Sequence, residues 1–420
     1  MEHRTKQSTT PFHYKDGELY CDAVPLGRIA ETCKTPCYIY SADGILARFK
    51  EYDEAFGATP HTICYAVKAN SNLSVLRLLA GAGAGFDIVS AGELYRVLQA
   101  GGAAGKIVFS GIGKMKEEID FALSFGIGIF HCESEAELAV LDSCARERKT
   151  VARIALRVNP DVDAVTHPYI STGLRDHKFG INIAKAEGIY AAAVKMPGLC
   201  PEGVSCHIGS QMLDPAPALE AAEKMFAFVQ RLRERGVPIS HLDLGGGLGV
   251  AYRSDQSTPS ISQFIVDVSS RAAGLGIHLS VEPGRSIVGE CGILLARVLF
   301  RKRSATKEFV IVDAAMNDLL RPALYDAYHE ILPVIEKDRE MMIADVVGPV
   351  CESGDFLARD RAIGALDEGE LIAVLTAGAY GFVLSSNYNS RLRAAEVLVE
   401  GDSWRVIRKR ETYEDLVRGE

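Results

Sequence analysis

From about residue 36 to 285 the chain alternates short β-branched and apolar runs with segments of helical period. The runs that read as strands are His61–Ala69, Gly85–Ser90, Lys106–Gly111, Ile127–Ser134, Val151–Asn159, Gly203–Gly209, His241–Gly246 and His278–Glu282. Between them lie helical stretches such as Glu93–Ala100, Glu117–Ser124, Glu135–Lys149 and Pro215–Arg235, and another, Asp43–Phe56, precedes the first strand. A doubly wound sheet is the competing reading of any strand–helix repeat, but a count of eight favours a (β/α)8, TIM-like barrel. After Arg285 the rhythm changes to Gly292–Phe300, Glu308–Asp313, Met342–Val347, Leu371–Thr376, Glu396–Glu400 and Trp404–Lys409, with no helices expected between them. This predicts an all-β domain, a sandwich or barrel. The first 35 residues lack helical period and are punctuated by Pro25, so they are expected to pack on that β domain. The expected organisation is therefore α/β plus all-β: segment 1–35, barrel 36–285 and β domain 286–420.

Composition narrows the function classes. The 420 residues are 48% apolar and 24% charged, ordinary for a globular chain, and the formal net charge of −9 argues against nucleic acid or an anionic membrane as main partner. The longest charge-free stretch, Leu371–Ser390, holds glycines, serines and asparagines, and does not read as a membrane span. The N-terminus has no apolar signal-peptide core, and the ten cysteines show no C-x-x-C spacing. Both suit a cytoplasmic protein with reduced thiols and no metal site.

In such a barrel the chemistry gathers at the C-terminal strand ends. Strand one ends in Tyr-Ala-Val-Lys-Ala-Asn, so Lys68 is a lone cation in an apolar run. It is either a stem snorkelling to water or an amine set up for a Schiff base. Strands six, seven and eight end in Cys-His-Ile-Gly-Ser-Gln, Asp-Leu-Gly-Gly-Gly-Leu-Gly and Glu-Pro-Gly-Arg. Glycines let backbone N–H groups approach an anion, and this is the usual phosphate position of the fold. The Gly245–Gly249 cluster fails as a dinucleotide fingerprint because Val250 stands where the third glycine is needed. A lysine, a phosphate cradle and a nearby carboxylate together describe a pyridoxal phosphate site.

At these residues the sequence resembles the fold-type III pyridoxal-phosphate decarboxylases, in particular the diaminopimelate decarboxylases. The matching motifs are YAVKAN at 65–70, FDIVSAGEL at 86–94, HPYISTGLRDHKFGI at 167–181, HIGSQ at 207–211, DLGGGLG at 243–249 and EPGR at 282–285. Further on they are RPALYDAYHEI at 321–331, GPVCESGDF at 348–356 and AGAYGFVLSSNYNSR at 377–391. Departures are Leu392 and Ala394, where the family often carries prolines, and Ala91, where a glycine is common.

The resemblance implies that Lys68 forms the Schiff base with pyridoxal 5'-phosphate and that Glu282 faces the pyridine nitrogen. It makes His207 the ring that stacks on the cofactor. Asp87, Ser210, Gly246, Gly247, Pro283, Gly284, Arg285 and Tyr380 complete the cofactor set. Arg285, Arg321, Tyr325, Glu352 and Tyr380 would bind the substrate, meso-diaminopimelate. Cys351, with Glu352, would reach the site from the second subunit of a homodimer and act as proton donor. Taken singly, Glu282 could be a structural salt bridge, His207 a core histidine and Cys351 an inert thiol. A related ornithine, lysine or carboxynorspermidine decarboxylase shares most of these elements, and a non-catalytic pyridoxal-phosphate-binding barrel needs only the barrel part.

Overall fold

A computed structural model describes residues 11–162 and 178–420. The motif at 167–181 therefore lies, as far as residue 177, outside the described residues. The chain divides into two compact units: Arg48–Val250 with Ser257–Ser286, and Met1–Ala47 with Ala251–Gln256 and Ile287–Glu420.

The first unit is a closed parallel barrel. Its eight strands run in chain order as His61–Ala66, Gly85–Ile88, Ile107–Phe109, Ile129–Cys132, Ala152–Asn159, Leu199–Ser205, His241–Asp243 and His278–Val281. The eighth pairs back on the first, so no strand edge is left open. Every strand expected from the apolar runs is present, and the doubly wound alternative falls. The interior is filled: Cys64, Val108, Ile129 and Ala155 pack as one buried layer. At Gly203 a Cβ would stand 2.9 Å from both Ala155 and Ile129 side chains, so that layer has no room for a larger residue.

Strand ends become helix starts through local hydrogen bonds. Ser90 and Ser134 each cap the next helix by accepting from the backbone N–H three residues on, of Glu93 and Glu137. Those two glutamates reach back to accept from the N–H of Val89 and Glu133, both at 2.7 Å. These Ser-x-x-Glu boxes stop each strand and start each helix at a fixed residue, which holds the strand-end side chains in place.

The second unit is built on a nine-stranded sheet. Gly292–Arg303 is its central strand and pairs with Cys37–Ser41, Leu371–Val374 and Glu308–Val312. A second, three-stranded sheet takes Phe12–Lys15, Glu18–Cys21 and Val24–Pro25. The core of this unit joins Phe12, Leu19, Leu26 and Ile29 to Ile293, Leu295 and Val397.

Several features differ from the sequence expectation, among them the short helix Arg321–Tyr325 and the strand Ile331–Pro333 in a stretch expected to hold neither. Cys37–Ser41 lies in this sheet, between residues 292–295 and 395–399, rather than in the barrel rhythm. Leu26–Cys33 is a helix within a segment expected to lack helical period; its buried residues Leu26, Ile29 and Ala30 follow i, i+3, i+4 spacing. Phe356–Gly364 is an additional strand, paired with Met341–Val347. No helix among the described residues is long and apolar enough to cross a membrane.

Candidate active site

The strand ends of the barrel unit bring ten of the expected residues to one face of the unit. Lys68 sits in a single 3-10 turn, Val67–Ala69, whose two apolar residues are buried, so the strand end is fixed while the amine projects. Its Nζ donates to Asp87 Oδ2 at 2.8 Å; the lysine side chain is 42% exposed and the aspartate fully enclosed. Burial pushes the Asp87 carboxyl up, the charge of Glu282 pushes it further, and Lys68 pulls it back only in part.

The Glu-Pro-Gly-Arg turn closes against both neighbouring strands. Ala66 N–H donates to Pro283 O at 3.1 Å, and Glu282 N–H to Gly245 O at 2.8 Å. A Cβ on Gly284 would stand 3.0 Å from Ala69 and 3.1 Å from Ala66, so the turn lies directly under the lysine strand. Glu282 is thereby aimed inward. His131 Nδ1 stands 3.4 Å from its Oε1, inside ion-pair range but without the alignment of a hydrogen bond.

His207 accepts from Gly246 N–H through Nδ1 at 3.2 Å, which leaves the proton on Nε2. Recession from water first, then the cations Arg157 and Lys68, lower this imidazole to about 3, so it is a neutral ring. Gly245 N–H caps Asp243 Oδ1 at 2.7 Å. Gly247 has φ +111°, and a Cβ there would lie 2.2 Å from Gly209 O, so the loop tolerates only glycine. Arg285, itself buried, donates from Nη2 to Ser210 Oγ at 3.1 Å.

The remaining expected residues lie in the sheet unit. Arg321 is buried and donates to Tyr252 Oη at 2.7 Å, with His329 Nε2 3.3 Å away. Tyr325 ends the short helix Arg321–Tyr325. Cys351 is exposed; its backbone N–H donates to Asn389 Oδ1 at 3.3 Å. Glu352 is exposed beside it. Tyr380 and nearby Thr376 take left-handed conformations, φ 56° and 53°. Strain of this kind in non-glycine residues needs surroundings that enforce it, and it recurs where a loop must aim a side chain.

Two acidic or basic residues at the barrel face went unassigned in the sequence: His131, and Asp243 within the glycine motif. The signal for His131 was a single imidazole in an otherwise apolar strand, Ile-Phe-His-Cys.

These residues fit pyridoxal phosphate on their own chemistry. Asp87 Oδ1, Asp243 Oδ2 and Glu282 Oε1 are buried oxygens with no hydrogen-bond partner, an expensive arrangement unless a ligand proton meets it. A primary amine projects beside them, and a hydroxyl, a guanidinium and a glycine loop lie at the neighbouring strand ends. A closed parallel barrel with that donor set defines the class of barrel-type pyridoxal-dependent decarboxylases. Residues 42–289 match the family described as pyridoxal-dependent decarboxylase, pyridoxal binding domain.

Comparison over the full length narrows the class. A diaminopimelate decarboxylase of Pseudomonas aeruginosa is 53% identical over 409 residues, covering 97% of this chain and 98% of that one. The crystal structure of the Helicobacter pylori diaminopimelate decarboxylase complexed with L-lysine superposes with a TM-score of 0.90 at 44% identity, covering 94% of this chain and 98% of that one. The M. jannaschii diaminopimelate decarboxylase in complex with L-lysine gives 0.92 at 37% identity, covering 97% and 96%. This chain belongs to the diaminopimelate decarboxylase family of pyridoxal-dependent decarboxylases.

Proposed function

We propose that the protein decarboxylates meso-2,6-diaminopimelate to L-lysine and CO2, using pyridoxal phosphate held at the strand ends of the barrel. The observation that carries this reading is the Lys68 amine poised against Asp87 at the end of the first strand, in one group with Glu282 and His207. The substrate assignment is supported by the full-length relatives and by two relatives' structures that hold L-lysine.

When bound, the cofactor supplies an electron sink for the pair left behind as CO2 departs. Lys68 would hold it through the amine, and Asp87 keeps that amine oriented between turnovers. Glu282 would accept a hydrogen bond from the ring N–H and so keep that nitrogen protonated. The neutral His207 ring offers a flat face against which the cofactor can stack without adding charge. Ser210, Arg285 and the backbone around Gly247, together with Pro283 and Gly284, would hold the phosphate; the Gly246 N–H is committed to His207 and contributes through loop shape. Tyr380 would reach both phosphate and substrate.

The substrate carries an amino-acid group at each end, so one carboxylate must be gripped while the other leaves. Arg321, fixed by Tyr252, is the candidate for the retained carboxylate, with Arg285 and Tyr325 beside it in role. Glu352 would bind the distal ammonium, and Cys351 would return the proton to the α-carbon. We assign this pair to the second copy of a homodimer, the arrangement the family motif implies. Ten cysteines without a disulfide suit the reducing cytoplasm, where we place the reaction.

The test is reconstitution with pyridoxal phosphate followed by meso-diaminopimelate, and, in parallel, borohydride reduction with peptide mapping. Lysine formation and a reduced adduct on Lys68, absent in Lys68→Ala, are expected. An adduct on another lysine, or cofactor uptake without lysine formation, overturns the assignment.

A further inference from the structure

Three acidic side chains from different strand ends meet at the barrel face: Asp87, Asp243 and Glu282. Each keeps one buried oxygen without a hydrogen-bond partner. Three enclosed carboxylates cannot all be ionised at such range without a matching number of cations. Lys68 offsets the charge of Asp87, so something must decide which of Asp243 and Glu282 keeps its charge.

His131, on the fourth strand, is 3% exposed and sits beside this group. One ring nitrogen of His131, one oxygen of Asp243 and one of Glu282 lie within 4.8 Å of one another. Nδ1 is 3.4 Å from Glu282 Oε1 and 3.3 Å from Ser110 Oγ. A carboxylate can only accept, so the Nδ1 that faces it carries the proton. The strand is anchored at this residue, because Lys114 Nζ donates to His131 O at 2.7 Å while also pairing with Glu137 at 2.6 Å. The same spacing would suit a divalent cation, but a cation would compete with the ring N–H for Glu282.

We propose that His131 is a positioning residue: its Nδ1–H, which faces Ser110 Oγ at 3.3 Å and Glu282 Oε1 at 3.4 Å, turns the positive end of its N–H dipole on Glu282 and selects it over Asp243 as the carboxylate that stays ionised toward the cofactor's ring nitrogen. The inference rests on the role given to Glu282 above. The electrostatics agree with the geometry. Burial raises both Asp87 and Asp243, and in each the charge of Glu282 adds to the rise. Burial also pushes Glu282 up, but His131, then Lys68, outweigh it and hold the carboxyl below its usual range. Among the described residues, the charged and titratable groups facing the cluster include Lys68, His207, Glu93, Cys64 and Cys206, with Arg157 acting on His207 from the fifth strand.

The experiment uses the full chain stripped of cofactor and titrated by fluorescence with two ligands. One is pyridoxal phosphate, and the other its 1-deaza analogue, in which a C–H replaces the ring nitrogen. His131→Phe keeps a ring and loses the donor, while His131→Asn keeps an N–H near the Nδ1 position. A hydrogen bond to a charged group corresponds to roughly a 10- to 100-fold change in affinity. His131→Phe is expected to weaken pyridoxal phosphate binding by about that factor and to leave the analogue within about threefold of wild type. His131→Asn should remain within about threefold of wild type for both ligands. Equal weakening toward both ligands makes His131 a packing residue and overturns the proposal, as does unchanged pyridoxal phosphate affinity in His131→Phe. Loss in His131→Asn matching that in His131→Phe overturns the Nδ1–H as the cause. Should His131→Phe fail to fold, His131→Leu carries the same comparison. Glu282→Gln separates the two levels. If it weakens pyridoxal phosphate alone while His131→Phe does not, only the role of His131 falls. If Glu282→Gln binds pyridoxal phosphate normally, the reading of Glu282 itself falls.

Discussion

Replacing Lys68 by Met removes the cation beside an enclosed carboxylate, and its effect on the stability of the cofactor-free chain can be worked from the geometry. At 2.8 Å, Coulomb's law gives about 6 kcal/mol at an effective dielectric of about 20 and about 1.5 kcal/mol in bulk water. The lysine side chain is 42% exposed, so solvent screening places the pair near the lower figure, about 2 kcal/mol. For a domain of this size that is a fall in Tm of roughly 4–8 °C. The sign of the pH dependence is set by Asp87. Burial raises its carboxyl above the unfolded value of about 3.9, so the folded state holds the proton more tightly, and that contribution to stability is lost as pH rises through the folded pKa. Removing Lys68 raises the folded pKa further. The variant should therefore lie closest to wild type at the acid end of the range, where Asp87 is protonated in both, with the gap opening as the pH rises. Thermal unfolding of both cofactor-free proteins at pH 5, 6.5 and 8 reads this directly. A gap that is constant with pH, or that widens on acidification, would refute the pairing of Lys68 with an enclosed, proton-hungry Asp87.

Other consequences follow from single residues. Gly247→Ala sets a Cβ 2.2 Å from Gly209 O at φ +111°, and should cost on the order of 1–3 kcal/mol and weaken cofactor uptake, read by unfolding and by titration. His278 is lowered to about 4, first by burial and then by His241, His61 and Arg153. Its folded pKa lies below the unfolded value, so the stability it contributes is present above about pH 6.5 and lost as pH falls toward 4. His278→Gln, which can still bond Thr62, should flatten that part of the stability–pH curve by about 1 kcal/mol after allowing for screening of a half-open group. Cys351→Ala should lower turnover far more than cofactor affinity, and chains carrying Lys68→Ala and Cys351→Ala, mixed and reassembled, should recover part of the activity. Equal loss of both properties, or no recovery, would count against a shared site.

The barrel was legible in the sequence because each of its strands is a local run of apolar and β-branched residues, and at two strand ends a serine, Ser90 or Ser134, caps the helix that follows. The sheet was less so. Cys37–Ser41 is entirely buried, yet nothing near it in sequence announces partners at residues 292–295 and 395–399. Leu26–Cys33 escaped because two turns of helix with a glycine give few periodic positions to read. Phe356–Gly364 escaped because Arg359, Asp360 and Arg361 interrupt the apolar pattern of a strand at the sheet's edge. At the site, Lys68, Glu282 and Arg285 stood out through their motifs. His131 did not, because its meaning depends on Asp243 and Glu282 arriving from strands more than a hundred residues away.

The most direct test of the account is CO2 release by the protein reconstituted with pyridoxal phosphate and given meso-diaminopimelate, L-ornithine, L-lysine and L-arginine in parallel. The account predicts rapid release from diaminopimelate alone, with lysine as product. Preference for a simple diamino acid would contradict it, leaving Lys68 and the barrel chemistry in place but removing Arg321, Tyr325 and Glu352 from the grip on the second amino-acid group.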